Sequence, residues 1–450
     1  MQNEIGHYEW GKYAAWLSLC FLLGPLCDLG INTFATAKLA QAQEVRRVLE
    51  NPPNFIDEFL TFLGLKGILV LLYPVLLLFL GLGMGYKNQE LGYLVLVAMI
   101  TALGQMSDLF RSAIKALQAF ELESIFSVLE KIILFIGTLG LLWLGIDLQG
   151  FIVLRLLVVG MTLGIIGGIV FRKIGLPRLH IPQNSSEILK GSFVFTLMIL
   201  LTSANEKIDQ VLLKSLIGNT ETGLYSGAYR WLDAINMYLW TVLPFFFARF
   251  AYLTKDLAAQ QKLLNIGQVM AAVPLIFMGA WGYFFADKLL FLFPNSSCEE
   301  LDKMESYIQI LFLGAALNAT FAVFGTLLTA SGYTKYVNVG FALTMLVNIL
   351  LNIFFIPKYG GIAAAWTTVV CYAIIGCFYT VILQKYTKLQ IPYFQTFQLF
   401  LLFGGLFLGF FFLQKTGLPW LLQSVMGGVF ILMCVFALKW REIREMRRLF

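Results

Sequence analysis

Long apolar stretches separated by short polar segments make up most of this chain of 450 residues. A bilayer core about 30 Å thick is spanned by roughly 20 helical residues, so each stretch is long enough to cross it. Because the apolar positions run continuously and do not alternate, they predict helices and not the strands of a barrel. The thirteen predicted spans are 13–33, 57–83, 91–110, 125–145, 149–171, 190–213, 224–248, 264–292, 306–330, 336–356, 361–384, 394–413 and 418–438.

The composition supports a membrane environment. Hydrophobic residues make up 59% of the chain and charged residues 13%, and the mean hydropathy is +0.79. One soluble core could not enclose so much apolar surface. The N-terminus has no basic stretch followed by a short apolar core and a cleavage site, so we expect no signal peptide. An all-α integral membrane protein with thirteen transmembrane helices is predicted.

Lysine and arginine fall unequally on the two sides of the predicted spans. One set of connections, together with the C-terminal tail, carries 20 of these residues and the other set carries seven. Because cytoplasmic loops are enriched in Lys and Arg, the C-terminus is predicted to be cytoplasmic and residues 1–12 periplasmic. This topology accounts for the net charge of +6, so no nucleic-acid partner is expected.

An eight-residue pattern occurs twice and indicates an internal duplication. The sequence GHYEWGKY begins at Gly6, and GNTETGLY begins at Gly218, 212 residues later. The second copy follows an apolar segment, whereas only five residues precede the first, so the first unit is expected to lack its opening helix. The predicted parts are an N-terminal lobe of five helices (1–171), a cytoplasmic linker (172–189), a C-terminal lobe of six helices (190–388), and an appended helix pair with a basic cytoplasmic tail (389–450).

Several motifs of the chain resemble those of one known family. They lie in NEKIDQVLLKSLIGNTETGLYSGAYRWLDA (205–234), in the segment 326–370 with Asn348, Asn352 and the Gly360–Gly361 pair, and in DLGINT at Asp28 to Thr33. In these parts the chain resembles bacterial polysaccharide flippases of the O-antigen type, in the multidrug/oligosaccharidyl-lipid/polysaccharide exporter superfamily. The motifs are moderately specific for the superfamily and weak for any one substrate.

The resemblance implies two pseudo-symmetric lobes around a central cavity, followed by an extra helix pair. It also implies transport of a polyprenyl-diphosphate-linked oligosaccharide from the cytoplasmic to the periplasmic leaflet of the bacterial inner membrane, for surface polysaccharide biosynthesis. The expected partners are that lipid-linked oligosaccharide, membrane lipid, and the glycan polymerase and glycosyltransferases of the same pathway. The chain departs from the family at its start, where the first helix of the family is missing.

Cations inside the predicted spans are the leading candidates for substrate binding. An ionisable side chain at the bilayer centre costs at least about 2.5–3.5 kcal/mol on insertion scales, so such residues are functional candidates. Lys66, Arg155, Lys207 and Arg230 are predicted to contact an anionic head group, and Lys66 lies deepest. The alternative is simple pairing with nearby acids, for example Arg230 with Asp233.

Three acids lie in the same two predicted spans as Lys207 and Arg230. Glu206, Asp209 and Asp233 fall at helical spacing on neighbouring spans and could bind a coupling proton or sodium ion. The alternative is a static ion-pair network that holds the two helices together. No cofactor, metal spacing or disulfide framework is expected.

Two other functions compete with the flippase hypothesis. A cation-coupled small-molecule exporter of the same superfamily would be expected to have twelve helices, so the appended pair favours a lipid substrate. A membrane glycan polymerase or ligase would be expected to carry a long periplasmic catalytic loop, whereas the longest predicted outer loop is about residues 293–305. No nucleophile-base arrangement is visible, and enzymatic activity is not expected.

Overall fold

A computed structural model describes residues 2–32, 35, 39, 55–116, 119–145, 147–174, 185–253 and 256–446. Thirteen α-helices lie in these ranges, which contain no β-strand. The helices are α1 (Gln2–Asp28), α2 (Phe55–Gly83), α3 (Asn88–Ala116), α4 (Phe120–Leu144), α5 (Leu148–Ile174), α6 (Ser185–Leu216), α7 (Asn219–Tyr252), α8 (Leu257–Leu289), α9 (Cys298–Ala330), α10 (Thr334–Tyr359), α11 (Gly361–Tyr386), α12 (Tyr393–Gln414) and α13 (Trp420–Met446).

Each predicted span corresponds to one of these helices, which confirms the all-α membrane fold. Within the described part of the chain, nine helices are long and apolar enough to cross a bilayer, and Trp420–Met433 is a shorter apolar helix. Backbone amides and carbonyls pair within each helix, which is the arrangement that lipid requires.

The prediction for the first span was wrong at its C-terminal end. Helix α1 ends at Asp28 and not at residue 33. Leu29 and Gly30 follow with φ values of 47° and 69°. This left-handed backbone cannot continue an α-helix, and hydropathy alone does not detect the break.

The described residues divide into two compact units. Unit 1 contains Asn3–Ile5 and Lys12–Val211, and unit 2 contains Gln2, Gly6–Gly11 and Leu212 onward. Residues 175–184 of the predicted linker, residues 447–450 of the predicted basic tail, and Thr33 of the DLGINT element lie outside the described residues. The predicted domain boundaries therefore stay a prediction.

Each unit has its own apolar core. In unit 1, Phe59, Phe62 and Phe110 pack with residues from α3 and α5. In unit 2 a larger core joins α7 to α11, and a second cluster, including Leu402 and Phe410, fixes α12 against α8. The appended helix pair is thus packed onto unit 2.

Candidate functional site

Lys66 lies on α2 in the interior of unit 1, with none of its surface exposed. Its ammonium forms an ion pair with the carboxylate of Asp28, whose side chain is 9% exposed. Asp28 is the last residue of α1. A buried ammonium is strongly unfavourable unless it is paired, and Asp28 supplies that pair.

Two amide oxygens complete the surroundings of the Lys66 ammonium. Nζ lies 3.3 Å from Oδ1 of Asn32 and 3.4 Å from Oε1 of Gln105 on α3. The Asn32 amide nitrogen also donates to Gln105 at 3.2 Å, and the Asn32 backbone N–H donates to Asp28. An ammonium has three donors, so the three oxygens match its capacity. These four residues are called the Lys66 cage below.

Arg155 projects from α5 toward α1 and is half-buried. Its guanidinium donates a hydrogen bond to the Tyr13 hydroxyl, and its Cζ lies 6.0 Å from the centre of the Tyr13 ring. The edge of the Tyr13 ring contacts Phe151 at 5.5 Å between centroids. Tyr13 therefore orients the guanidinium through both its ring and its hydroxyl.

Lys207 lies on α6 and is also half-buried. Its Nζ is 5.7 Å from the centre of the Phe21 ring, and 46% of the Phe21 surface is exposed. Nearby, the Ser18 hydroxyl donates to Oε1 of Gln210 at 2.7 Å, which joins α1 to α6 inside unit 1. Aromatic contact stabilises a cation without neutralising its charge.

These three cations of unit 1 contact one face of α1. Tyr13, Phe21 and Asp28 follow one another at intervals of about two helical turns, so their side chains project in similar directions. From Tyr13 to Asp28 the helix rises about 22 Å. The structure thus brings Arg155, Lys207 and Lys66 together as a row along α1.

Arg230 lies in unit 2 and is exposed. Its guanidinium stacks on Trp10 of α1 with Cζ 3.9 Å from the ring centre. Both residues belong to unit 2, as α1 contributes Gly6–Gly11 to that unit. A planar guanidinium can stack on an aromatic ring with its face and donate hydrogen bonds from its edge.

The three predicted coupling acids have different surroundings. Asp209 is 1% exposed, and its carboxylate accepts the backbone N–H of Gln210 at 2.8 Å. Glu206 is half-buried in unit 1, and Asp233 is half-buried in unit 2. Within the described residues no group of three or more His, Cys, Asp or Glu side chains could hold a metal ion.

The partners of the cations were not predicted. Trp10 and Tyr13 were noted only within the octapeptide, Phe21 only within the predicted span 13–33, and Asp28 only as part of DLGINT. One signal was available: Asp28 is an acid inside the predicted span 13–33, and a charge at that depth needs a partner. The choice of Lys66 as that partner depends on tertiary packing.

The two copies of the octapeptide pack against each other within unit 2. A Cβ atom on Gly11 would lie 1.7 Å from the Asn219 carbonyl oxygen, and one on Gly223 would lie 2.0 Å from the His7 carbonyl oxygen. The pairs are reciprocal, because 223 − 11 and 219 − 7 both equal the repeat offset of 212. Only glycine permits backbones to approach so closely.

His7 joins this crossing to the segment that precedes α9. Its Nε2 lies 2.7 Å from Oγ of Ser296, and its Nδ1 lies 2.9 Å from Nε2 of Gln2. The same Gln2 amide donates to the Gly223 carbonyl at 3.0 Å. Burial lowers the pKa of His7 below its usual 6.5, although Glu300 acts in the opposite direction.

The glutamate of the second octapeptide joins two other motif positions. Glu221 accepts the backbone N–H of Gly361 at 2.9 Å, at the start of α11, and a hydrogen bond from the Tyr307 hydroxyl. Gly360 has a φ of 58°, and a Cβ there would lie 2.7 Å from Oε1 of Glu221. A carboxylate at a helix N-terminus is favourable, so Glu221 has a structural role.

A separate cavity of about 660 Å³ lies in unit 2 between α8, α9, α11 and α12. Its wall is mainly apolar and aromatic, and it includes Tyr283, Gln309, Trp366, Phe403 and Phe407. None of the predicted head-group cations lines it. It is therefore distinct from the row of cations.

Comparison with known proteins supplies a family and a fold. The model of a family described as "Polysaccharide biosynthesis protein" matches residues 1–246. A search of curated proteins finds no match. The structure is similar to that of lipid II flippase MurJ in an inward closed conformation, with a TM-score of 0.72 and 14% identity over 96% of this chain and 97% of that one.

Two multidrug transporter structures are also similar. An inward-facing MATE family transporter of the MOP superfamily gives a TM-score of 0.66 at 13% identity, over 85% of this chain and 94% of that one. The MATE multidrug transporter DinF-BH, in complex with R6G, gives 0.61 at 12% identity, over 86% and 89%. At these identities the likeness establishes a shared membrane-transporter fold.

Proposed function

Because the chain belongs to the family of polysaccharide biosynthesis proteins, we propose that it moves a polyprenyl-diphosphate-linked oligosaccharide across the membrane. The direction is from the cytoplasmic to the periplasmic leaflet of the bacterial inner membrane. The C-terminus is then cytoplasmic, and the N-terminal residues 1–12 are periplasmic. Surface polysaccharides such as O-antigen are assembled from carriers of this chemical class.

The observation that carries the proposal is the row of cations along α1. Arg155, Lys207 and Lys66 occupy a stretch of about 22 Å in helices that lie in lipid. Placing cations there is costly, and an anionic ligand beside the row would lower that cost. A diphosphate has several negative oxygens and is the charged part of the substrate.

The cations differ in what they offer a diphosphate. The Arg155 guanidinium is planar, and the Tyr13 hydroxyl holds it in one orientation, so it suits two phosphate oxygens at once. Lys207 is a point charge over an aromatic ring and can follow the phosphate as it moves. Arg230, stacked on Trp10, is proposed as a head-group-binding cation of unit 2.

The acids Glu206, Asp209 and Asp233 are proposed to bind the coupling ion. A carboxylate whose neighbours change during transport also changes its affinity for a proton or a sodium ion. Asp209 is nearly fully buried, which makes it sensitive to such changes. Partners in the same pathway would be the glycosyltransferases and the glycan polymerase.

The second candidate function is cation-coupled export of small molecules, which the similarity to MATE structures favours. Those structures align with about 85% of this chain, whereas MurJ aligns with 96%. An alignment over 96% of the chain is long enough to include the appended helices α12 and α13. This difference, together with the family match to residues 1–246, favours the lipid-linked substrate.

Reconstituted vesicles test the proposal. The purified protein is placed in liposomes that contain a nitrobenzoxadiazole-labelled undecaprenyl-diphosphate N-acetylglucosamine, and dithionite is added outside. We expect dithionite to bleach label from both leaflets when the protein is present, and only the outer-leaflet label in protein-free vesicles. A labelled phosphatidylcholine is the matched control and should stay half protected.

The opposite pattern would reject the flippase. If the diphosphate probe stays protected while the vesicles take up rhodamine 6G, the small-molecule exporter is the correct function. Bleaching of both lipids at the same rate would indicate nonspecific scrambling.

A further inference from the structure

The Lys66 cage is saturated in this structure. Asp28, Asn32 and Gln105 each present an oxygen to the ammonium, and Lys66 has no exposed surface. A diphosphate can therefore bind to Lys66 only if the ammonium leaves at least one of these oxygens. Asp28 is the only one of the three that carries a charge.

Separating Lys66 from Asp28 would leave a buried carboxylate without a counter-ion. Removal of one partner from a buried ion pair is strongly destabilising. Protonation of the carboxylate removes most of that cost, because a neutral acid is far cheaper to bury. The exchange is balanced: the phosphate oxygen gains the ammonium, and Asp28 gains one proton from water.

We infer that Asp28 and Lys66 form a proton-linked substrate site. The Lys66 ammonium exchanges the Asp28 carboxylate for an anionic head group, and that carboxylate takes up one proton. This inference rests on the proposed function and deepens it. It adds a proton site on α1 to the proposed coupling acids Glu206, Asp209 and Asp233.

Other charges around the pair do not replace either partner. Asp108 on α3 interacts electrostatically with Lys66 and Asp28, but it also interacts with Arg111 and Lys115 on its own helix. The carboxylate of Asp28 has the direct contact with the ammonium. The titratable and charged groups that face the pair are Cys27 on α1, Lys66 on α2, and Asp108, Arg111 and Lys115 on α3.

Calorimetric titration of the purified full-length protein with farnesyl diphosphate tests the inference. Measuring the binding heat at one pH in buffers of different ionisation enthalpy counts the protons taken up. Relative to Asp28→Asn, the wild-type protein should take up about one additional proton per ligand, because both proteins see the same titration of the ligand itself. The wild-type affinity should rise by up to about tenfold per unit of falling pH.

Asp28→Asn should bind farnesyl diphosphate more tightly and with a flatter pH dependence, since the amide holds Lys66 less strongly. Asp108→Asn is the matched control and should keep the proton uptake. Equal proton uptake by the wild type and Asp28→Asn would overturn the inference, as would loss of the uptake in Asp108→Asn.

A variant that lacks both charges distinguishes a role of the pair in substrate binding from a purely structural role. Asp28→Asn/Lys66→Met removes both charges and should unfold thermally near the wild type, because neither charge is left unpaired. It should bind farnesyl diphosphate at least tenfold more weakly. If it binds and flips like the wild type, the pair is only structural.

If the wild type flips the labelled lipid without proton uptake, the proton exchange is contradicted while the proposed flippase function stands. If it neither binds nor flips diphosphates, both fail.

Discussion

At the scale of single residues, three cations have been stabilised in lipid in three different ways. Lys66 is neutralised by a carboxylate, Arg155 is held by a phenol, and Lys207 lies over a hydrocarbon ring. Lys66 has no exposed surface, whereas Arg155 and Lys207 are half-buried. Arg155 and Lys207 are therefore the cations that an incoming anion should meet before Lys66 is released.

Of these three positions, Arg155 should tolerate substitution least. Arg155→Lys keeps the charge but loses the planar fork, and it cannot make the same hydrogen bond with Tyr13. A hydrogen bond to a charged group contributes about 1.5–3 kcal/mol, so we expect about 10- to 100-fold weaker binding of farnesyl diphosphate. Titration calorimetry measures this loss. Tyr13→Phe, which keeps the ring, should lose less; if it loses more than Arg155→Lys, Tyr13 acts on the substrate directly.

His7 predicts a pH dependence of stability. Its pKa is lowered by burial in the folded protein, so the unfolded chain takes up a proton first as the pH falls below 6.5. Stability should be constant above that value and should decline below it, until the pH passes the folded pKa. A protonated Nδ1 would also face the amide donor of Gln2.

Thermal unfolding in detergent between pH 5 and 8 measures this effect. His7→Gln should remove the decline, and His180→Gln, which changes the only other histidine of the chain, should leave it unchanged. A decline of the same size in His7→Gln would assign it to another group.

Counting residues along a helix gives a predicted depth for Lys66 but says nothing of its environment. The rise per residue fixes how far a side chain lies from the helix end, and this is a local property. Exposure and partners depend on which helices pack together. Arg230 illustrates the limit, because its aromatic partner Trp10 lies 220 residues earlier in the chain.

At the scale of helices, the octapeptide explains why two glycines recur 212 residues apart. Gly11 on α1 and Gly223 on α7 allow two backbones to meet at a reciprocal crossing. The sequence revealed the repeat, whereas the contact between its copies needed coordinates.

Alanine at either glycine should destabilise the crossing. The new Cβ would meet a backbone oxygen, which cannot rotate away as a side chain can, so we expect a loss of about 1–3 kcal/mol for Gly11→Ala or Gly223→Ala. The thermal unfolding midpoint in detergent should fall accordingly. Gly104→Ala on α3 is the control: its Cβ meets nothing within 4 Å, so the helix should gain stability. An unchanged midpoint in both crossing variants would mean that the helices separate at little cost.

Helices themselves were well predicted, but their ends were not. Continuous apolar runs indicate that a segment is helical in lipid, so each of the thirteen α-helices in the described part of the chain was predicted. A helix end depends on a few backbone torsions, as at Leu29 and Gly30, where φ is positive. Neither residue is polar, so hydropathy extended the first span beyond Asp28.

At the scale of the whole molecule, the unequal distribution of Lys and Arg predicts the orientation. The predicted outer loop 293–305 contains Cys298, which is exposed; Cys20, Cys27 and Cys371 are buried, and the exposed Cys377 lies within the predicted membrane span 361–384. A membrane-impermeant maleimide added to intact cells should therefore label Cys298, and Cys298→Ser should lose that label. Labelling of Cys298 only after the cells are opened would reverse the proposed topology.

The membrane class and the helix count could be predicted from the sequence because composition and hydropathy are properties of the whole chain. The site was predicted only in part. Charges inside apolar spans identified Lys66, Arg155 and Lys207, but their common alignment on α1 depends on the helix packing of unit 1. Sequence spacing within one span cannot show which face of a neighbouring helix it meets.

The most direct test of the central claim is the flipping rate of the labelled undecaprenyl-diphosphate probe by Arg155→Gln/Lys207→Gln. This variant keeps both side chains polar but removes the positive charges of the row other than that of Lys66. The claim predicts a rate near that of protein-free vesicles, while Lys131→Gln, which removes a 75% exposed cation of α4, keeps the wild-type rate. A wild-type rate in the double variant would contradict the claim that the cations of α1's row carry the diphosphate.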